Sequence, residues 1–239
     1  MARNFRNGSL GMVNPMADEE VLISLRRSMR LNRARPRQAL ALNRVMRDQL
    51  CRSCDQTLLG KRDRAVIALG YDTLCGRSEI VRLSIEDLQF LRDGSAHILI
   101  PRAKNDPFGN GRLGYISSKT AQYIRAWLRS AKINDGHLFR PIIWGVIAER
   151  HLNPYTVNRI IKSAAARANL PQDVQNNLSG HSMRVGAAQD MMKAGFGLLP
   201  IMRAGGWKAA NVVGRYVENA NLANMIASAR KELPTRPKA

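Results

Sequence analysis

The sequence predicts a mostly α-helical protein that carries one small antiparallel sheet of three strands. From Leu40 onward apolar residues recur mainly at helical spacing, and helix-start signals such as Ser118 and Asn153-Pro154 open successive segments. The texture changes between about residues 86 and 117. There the chain reads as short β-rich runs, "EDLQFL", "AHILIPRA" and "RLGYIS", the first two joined by the turn "RDGS".

Taken in order, residues 1–16 hold Gly, Asn and Pro without periodicity and form an irregular lead-in. Asp18 is placed to cap a helix over about 19–31, with Val21, Leu22, Leu25 and Met29 on one face. "LNRARPRQ" then reads as a basic linker broken by Pro36. Arg33, Arg35 and Arg37 would follow a phosphate backbone if that linker crosses DNA, and a solvated connector fits them equally well. Helices are predicted over about 40–52, 57–73 and 77–82. The sheet follows, and its second loop, "KNDPFGNG", is made of turn formers. Ser118 caps a helix to about 132, Asn153-Pro154 opens one to about 169, and helices follow over about 182–194, 198–204, 211–219 and 222–233. No internal repeat is present.

Composition narrows the partners. With 239 residues and 45% hydrophobic content, the chain is long and apolar enough for one large domain, or a domain with an appendage. Lys+Arg number 38 against 18 Asp+Glu, a net charge of +20, which points to a polyanion. A membrane surface is the rival polyanion, but no apolar run approaches the roughly 18 residues of a spanning helix, and residues 1–16 lack a signal-peptide core. A cytoplasmic protein is expected. Cys51 and Cys54 form a lone C-x-x-C on a helix, with no second pair or nearby histidine to complete a zinc site, so free thiols are expected and no metal centre. Cys75 reads as core.

Two stretches carry candidate chemistry. "GHSMRVGAAQDMMKAG" puts His181 and Arg184 on one side of the first turn of a predicted amphipathic helix, where free backbone N–H groups would also favour an anion. "AGGWKAANVVGRYVEN" puts Trp207 after a glycine turn and Tyr216 on the next helix. Taken alone, the His181–Arg184 pair reads as a capped helix start, Tyr216 as a core or rim residue and Trp207 as core.

Together they resemble the tyrosine recombinase (phage integrase) family, and within it the Cre-like subgroup. "SGHSMRVGAAQDMMKAGFGLLPIMRAGGW", "YDTLCGRSEIVRLSIEDL" and "RQALAL" carry the likeness, which runs from about residue 17 to about 225 and is weakest over 105–175. The resemblance implies the tyrosine recombinase catalytic-domain fold and DNA strand cleavage through a 3′-phosphotyrosine. Tyr216 would be the nucleophile, Arg184 the cation on the non-bridging oxygens, His181 the group that positions or deprotonates the tyrosine, and Trp207 an indole N–H donor where many relatives have a second histidine. Lys104 in "PRAKND" matches the family's hairpin lysine, which protonates the leaving 5′-oxygen, and Glu79 its buttressing acid. Arg77 and Arg102 join the linker arginines as expected DNA contacts. Conserving bond energy in a phosphotyrosine removes the need for a cofactor, consistent with the lack of a Walker A loop or a carboxylate cluster.

The resemblance also implies partners and domains. Double-stranded DNA with inverted-repeat sites and a homo-tetramer on two such sites are expected, the helix over about 222–233 docking into a neighbouring protomer. Residues 1–37 would be the remnant of the N-terminal core-binding domain, its last helix and the linker, the rest of that domain being largely absent. Residues 38–239 would be the catalytic domain. One departure concerns chemistry. Counting back from Glu79 or from Lys104 places the family's first catalytic arginine at Gly76 rather than Arg77, and one residue along a helix turns a side chain by about 100°. A recombinase that binds DNA yet cleaves slowly or not detectably is expected, with Arg77 as the stand-in if the glycine lets the local backbone shift. A non-catalytic DNA-binding integrase relative and a type IB-like topoisomerase are the two alternatives.

Overall fold

In the computed structural model, which describes residues 18–31, 38–101 and 111–217, the chain divides into one unit over residues 1–38 and another over residues 39–239. The first unit contains helix α1 (Glu19–Leu31). Asp18 caps it as expected, its Oδ1 accepting from the Glu20 N–H at 2.9 Å, and Glu19 and Glu20 in the first turn suit the positive end of the helix dipole.

The second unit is built around α3 (Leu58–Asp72), whose residues 65–71 are all buried. Thr57 caps it, and α2 (Arg44–Ser53), α5 (Ser118–Ala131) and α8 (Gly180–Lys193) pack against it. A short helix α4 (Arg77–Ile80) and a 3-10 turn (Ile85–Asp87) lead into the sheet β1 (Leu88–Phe90), β2 (Ala96–Ile100) and β3 (Arg112–Ile116), antiparallel in that order. Leu88 pairs with Ile98, and Ile100 with Arg112. On β3 the inward face is Arg112, Gly114 and Ile116, while Leu113 and Tyr115 are exposed. The remaining elements are the two-residue strands β4 (Ile142–Ile143) and β5 (Val146–Ile147), then α6 (Pro154–Arg167), α7 (Gln172–Asn177), α9 (Leu198–Gly205) and α10 (Ala210–Val217).

Polar clamps fix the helices against one another. Asp72, at the end of α3, accepts from the Ser117 N–H at 2.9 Å and the Ser117 hydroxyl at 2.7 Å, and pairs with Arg47 of α2 at 3.2 Å. Asp190 of α8 accepts from the Arg44 N–H and the Tyr71 hydroxyl, both at 2.6 Å. Trp127 donates its indole N–H to the Leu138 carbonyl at 2.9 Å from full burial. Such satisfied buried polar groups cost little and specify one packing.

Several expectations need correction. Helix α2 starts at Arg44, because the Asn43 side chain accepts from the Met46 N–H at 2.9 Å and ends the helix there. Ser117, not Ser118, caps α5. The β4–β5 hairpin and α7 were not anticipated. Helix α8 is not amphipathic: it is buried along nearly its whole first three turns, and Gly186 lies so close to the Leu42 backbone that a Cβ would strike the Leu42 carbonyl. The three cysteines are free and buried, and burial pushes Cys51 up to about 12 and Cys75 up to about 11. Among the described residues no helix is long and apolar enough to cross a membrane.

Candidate active site

The site forms where α8, the α9–α10 connection and α4 converge. Ser179 caps α8, its hydroxyl oxygen accepting from the His181 N–H at 3.3 Å, and Ser182 closes the box by accepting from the Ser179 N–H at 3.0 Å. Asn158 of α6 accepts from the Gly180 N–H at 2.8 Å, and the Ser182 N–H donates to the Ser179 carbonyl at 3.0 Å. The first N–H groups of α8 are therefore occupied. The expectation that they are free for an anion is wrong here, and side chains must supply the positive potential.

Arg184, one turn on, is held on several sides. Its Nη1 donates to the Leu74 carbonyl at 3.0 Å and to Glu79 Oε2 at 3.2 Å, and its Nη2 donates to the Gly205 carbonyl. The guanidinium carbon lies 4.4 Å from the centre of the Trp207 ring, a cation–π stack. Burial pulls its pKa down and the Glu79 carboxylate opposes that, but a guanidinium stays protonated at neutral pH.

Trp207 is placed by two glycines. Gly206 takes the left-handed conformation (φ +67°) that ends α9, and a Cβ on Gly205 would collide with the indole. Tyr216 of α10 then lies between two rings. Its centroid is 5.1 Å from that of Trp207 and 5.1 Å from that of His181, and Gln189 of α8 holds the Tyr216 carbonyl at 2.9 Å. His181 keeps an exposed edge, yet crowding desolvates the ring enough to hold its pKa below the ordinary 6.5, with Arg184 adding to the shift. The imidazole is neutral near pH 7 and able to take a proton.

The opposite wall is thinner. Gly76 caps α4 with an extended backbone (φ −72°), and its N–H donates to Glu79 Oε2 at 2.6 Å. A cavity of about 420 Å³ opens beside it, lined by Gly76, Arg77, Glu79, Asn158, Ser179 and His181. Arg77 is exposed on its wall, and neither an ion pair nor a hydrogen bond joins its side chain to Glu79. A larger concavity of about 830 Å³ runs along α5 and holds none of these residues.

The structure thus brings together His181, Arg184, Trp207, Tyr216, Glu79 and Gly76. Lys104, Arg102, Arg33, Arg35, Arg37 and the helix expected over 222–233 lie outside the described residues. One residue escaped the sequence reading. Arg112 reaches in from β3, its Nη1 on the Thr73 and Ala204 carbonyls at 2.8 and 2.6 Å and its Nη2 3.6 Å from Glu79 Oε1. Its signal was an arginine on the same strand face as Gly114 and Ile116, where an apolar residue is the ordinary occupant.

Known proteins resemble this chain in sequence and in fold. The model of the phage integrase family matches residues 32–222. An "Integrase/recombinase xerD homolog" of Selenomonas ruminantium is 32% identical over 175 residues, covering 70% of this chain and 50% of the relative. "Recombinase cre" of Escherichia phage P1 is 28% identical over 230 residues, covering 87% of this chain and 66% of the relative. The chain thus spans half the length of the first and about two thirds of the second. Among solved structures, XerA recombinase superposes with a TM-score of 0.66 at 15% identity, covering 90% of this chain and 75% of that one. XerH site-specific recombinase, in a post-cleavage complex with a palindromic difH substrate, gives 0.65 at 20% identity, covering 84% and 56%. At these identities the structural likeness shows the fold.

Proposed function

Since the chain belongs to the phage integrase family of tyrosine recombinases, we propose that it cuts and rejoins DNA at specific sites through a 3′-phosphotyrosine on Tyr216. The observation that carries this reading is the Tyr216 ring set between His181 and Trp207, with Arg184 stacked on that same Trp207. Tyrosine oxygen attacks the scissile phosphorus as the bond to the 5′-oxygen breaks. The phenolic proton passes to neutral His181, and Lys104 returns a proton to the leaving oxygen. Arg184 and the Trp207 N–H neutralise the charge that builds on the non-bridging oxygens, and this electrostatic stabilisation dominates in such a transition state. The reverse attack by a 5′-hydroxyl rejoins the strands, so bond energy is conserved and the scheme requires no cofactor.

Residues 1–37 act in this reading as the end of a core-binding domain with its basic linker, and 38–239 as the catalytic domain. The arginines at 33, 35, 37, 77 and 102 contact phosphates, and the net charge of +20 makes binding fall steeply with salt. The helix over 222–233 joins protomers into a tetramer on two inverted-repeat sites. Gly76 slows the chemistry, and this residue is also what favours the second reading, a family member that occupies DNA without cutting it.

The test is adduct formation on a nicked duplex that traps the covalent intermediate, its sequence being the one the chain selects from a random library. The unaltered chain is expected to form a protein–DNA adduct, and Tyr216→Phe to bind equally and form none. Binding without any adduct supports the second reading, and an adduct that survives Tyr216→Phe overturns the nucleophile. Relaxation of supercoils without recombinant product would point to a topoisomerase.

A further inference from the structure

We propose that Arg112 supplies the second positive charge of the reaction centre, entering from β3 in place of an arginine at position 76. The inference rests on the recombinase reading above. Transfer of a phosphodiester to tyrosine builds negative charge on two non-bridging oxygens, and one guanidinium beside a carboxylate leaves no net charge to meet it. Glu79 and Arg184 alone would sum to zero. With Arg112 on the other oxygen of Glu79, the cluster is net positive.

The two arginines are arranged in parallel. Arg184 donates to the Leu74 and Gly205 carbonyls, and Arg112 to the Thr73 and Ala204 carbonyls, so each ties the end of α3 to the end of α9, one residue apart. Glu79 lies between them, Oε2 on Arg184 at 3.2 Å and Oε1 toward Arg112 at 3.6 Å. The Arg112 side chain is 12% exposed, and its buried Nε has no hydrogen-bond partner among the described residues. Gly206 makes room for it, since a Cβ there would meet Arg112 Cδ at 2.9 Å and Nε at 3.0 Å. A buried arginine with an orphan donor is expensive to keep for packing alone, and an apolar residue on that strand face would serve packing better. Its placement beside Arg184 answers to charge. Because its Nη groups are held by the protein, Arg112 acts as a positioning residue: it fixes Glu79 and the loops that aim Arg184, and adds its field to the site. Among the described residues Arg77 is the competing source of that charge, but it sits exposed on the cavity wall and is paired with neither Glu79 nor Arg184.

The test is a double-mutant cycle in single-turnover cleavage by the full chain, on the same selected nicked duplex, with folding followed by thermal melting. Arg112→Gln is expected to lower the rate by about 10²-fold or more, and Arg112→Lys to stay within about tenfold of the unaltered chain. Gly76→Arg should raise the rate of Arg112→Gln by at least about 10²-fold but that of the unaltered chain by only about tenfold. When the scissile phosphate is replaced by a neutral methylphosphonate, the loss from Arg112→Gln should shrink by about tenfold, which a purely structural role would not produce. An Arg112→Gln loss that Gly76→Arg does not relieve, or a loss of equal size on the neutral substrate, overturns the proposal while the Tyr216 adduct of the unaltered chain leaves the recombinase reading standing. If Arg112→Gln does not fold, the Arg112→Lys rate on charged against neutral substrate decides in the same way. Absence of a Tyr216 adduct in both the unaltered chain and Gly76→Arg overturns the two together.

Discussion

The two walls of the site are built to different tolerances. On the α8–α10 side Arg184 is held by two carbonyls, a carboxylate and an indole, Tyr216 lies against two rings, and the Trp207 ring packs where a Cβ on Gly205 would strike it. On the α4 side a Cβ at Gly76 would meet a single atom, Glu79 Oε2 at 3.3 Å, and a cavity lies beyond it. The first wall is preorganised, so any change there is a loss. The second has room, so a change there is free to be a gain.

Removing the most heavily held group should have the largest effect. Arg184→Ala is expected to reduce adduct formation by about 10³-fold or more, since it deletes the charge on the phosphate and unpins Glu79 and both loops, while DNA binding changes little. A residual rate within tenfold of the unaltered chain would place the essential cation elsewhere. The glycines offer the sharpest contrast. Gly205→Ala forces the indole to move and should lower stability by about 1–3 kcal/mol, a fall in melting temperature of about 2–4 °C for each kcal/mol. Gly76→Ala, at an ordinary backbone angle where a Cβ would press only on Glu79 Oε2 at 3.3 Å, should lower the melting temperature by much less. Equal shifts for the two would erase the distinction between the walls. Next in size comes the gain: Gly76→Arg should raise single-turnover cleavage by about tenfold, and Arg77→Ala should change it less than about threefold. If Arg77→Ala abolishes cleavage, the register that assigns the missing arginine to position 76 is wrong.

The same contrast explains what could be read from the sequence. The α8–α10 wall is assembled from residues within one stretch, 181–216, so local spacing carries most of its geometry: a turn of helix puts His181 beside Arg184, and a double glycine sets Trp207. Asn153-Pro154, a cap with a clear chemical signal, also marks the start of its helix. Arg112 was invisible because its partners, Thr73 and Ala204, are remote in the chain and are backbone carbonyls that any residue type offers. The β4–β5 hairpin was missed for a related reason. "PIIWGVIA" looks like one apolar run, and only the backbone shows Trp144 (φ +50°) and Gly145 (φ +80°) making the tight turn. Helix α8 was misread because its outer neighbours come from α2, α3 and α10, which no window of sequence around residue 181 contains.

The smallest expected effect tests how tightly the first wall closes on its base. Crowding by the fold, and secondarily the charge on Arg184, make His181 harder to protonate in the folded protein than in the unfolded chain, whose histidine titrates near 6.5. The sign is therefore fixed. His181 stays neutral, and able to accept the Tyr216 proton, at pH values where an ordinary histidine has begun to charge, so the acid limb of the cleavage rate should fall below pH 6.5. Stability follows the same direction: the unfolded chain binds the proton more tightly, so the His181 contribution is fully favourable above 6.5 and is lost as pH falls from there through the folded value. NMR titration of the ring should give a midpoint below 6.5. In Tyr216→Leu the aromatic cover 5.1 Å away is gone, and the midpoint should move up toward 6.5 as water reaches the ring. A midpoint that does not move would mean that Tyr216 contributes nothing to the desolvation, and that the Arg184 charge and the rest of the wall set the protonation of His181 without it.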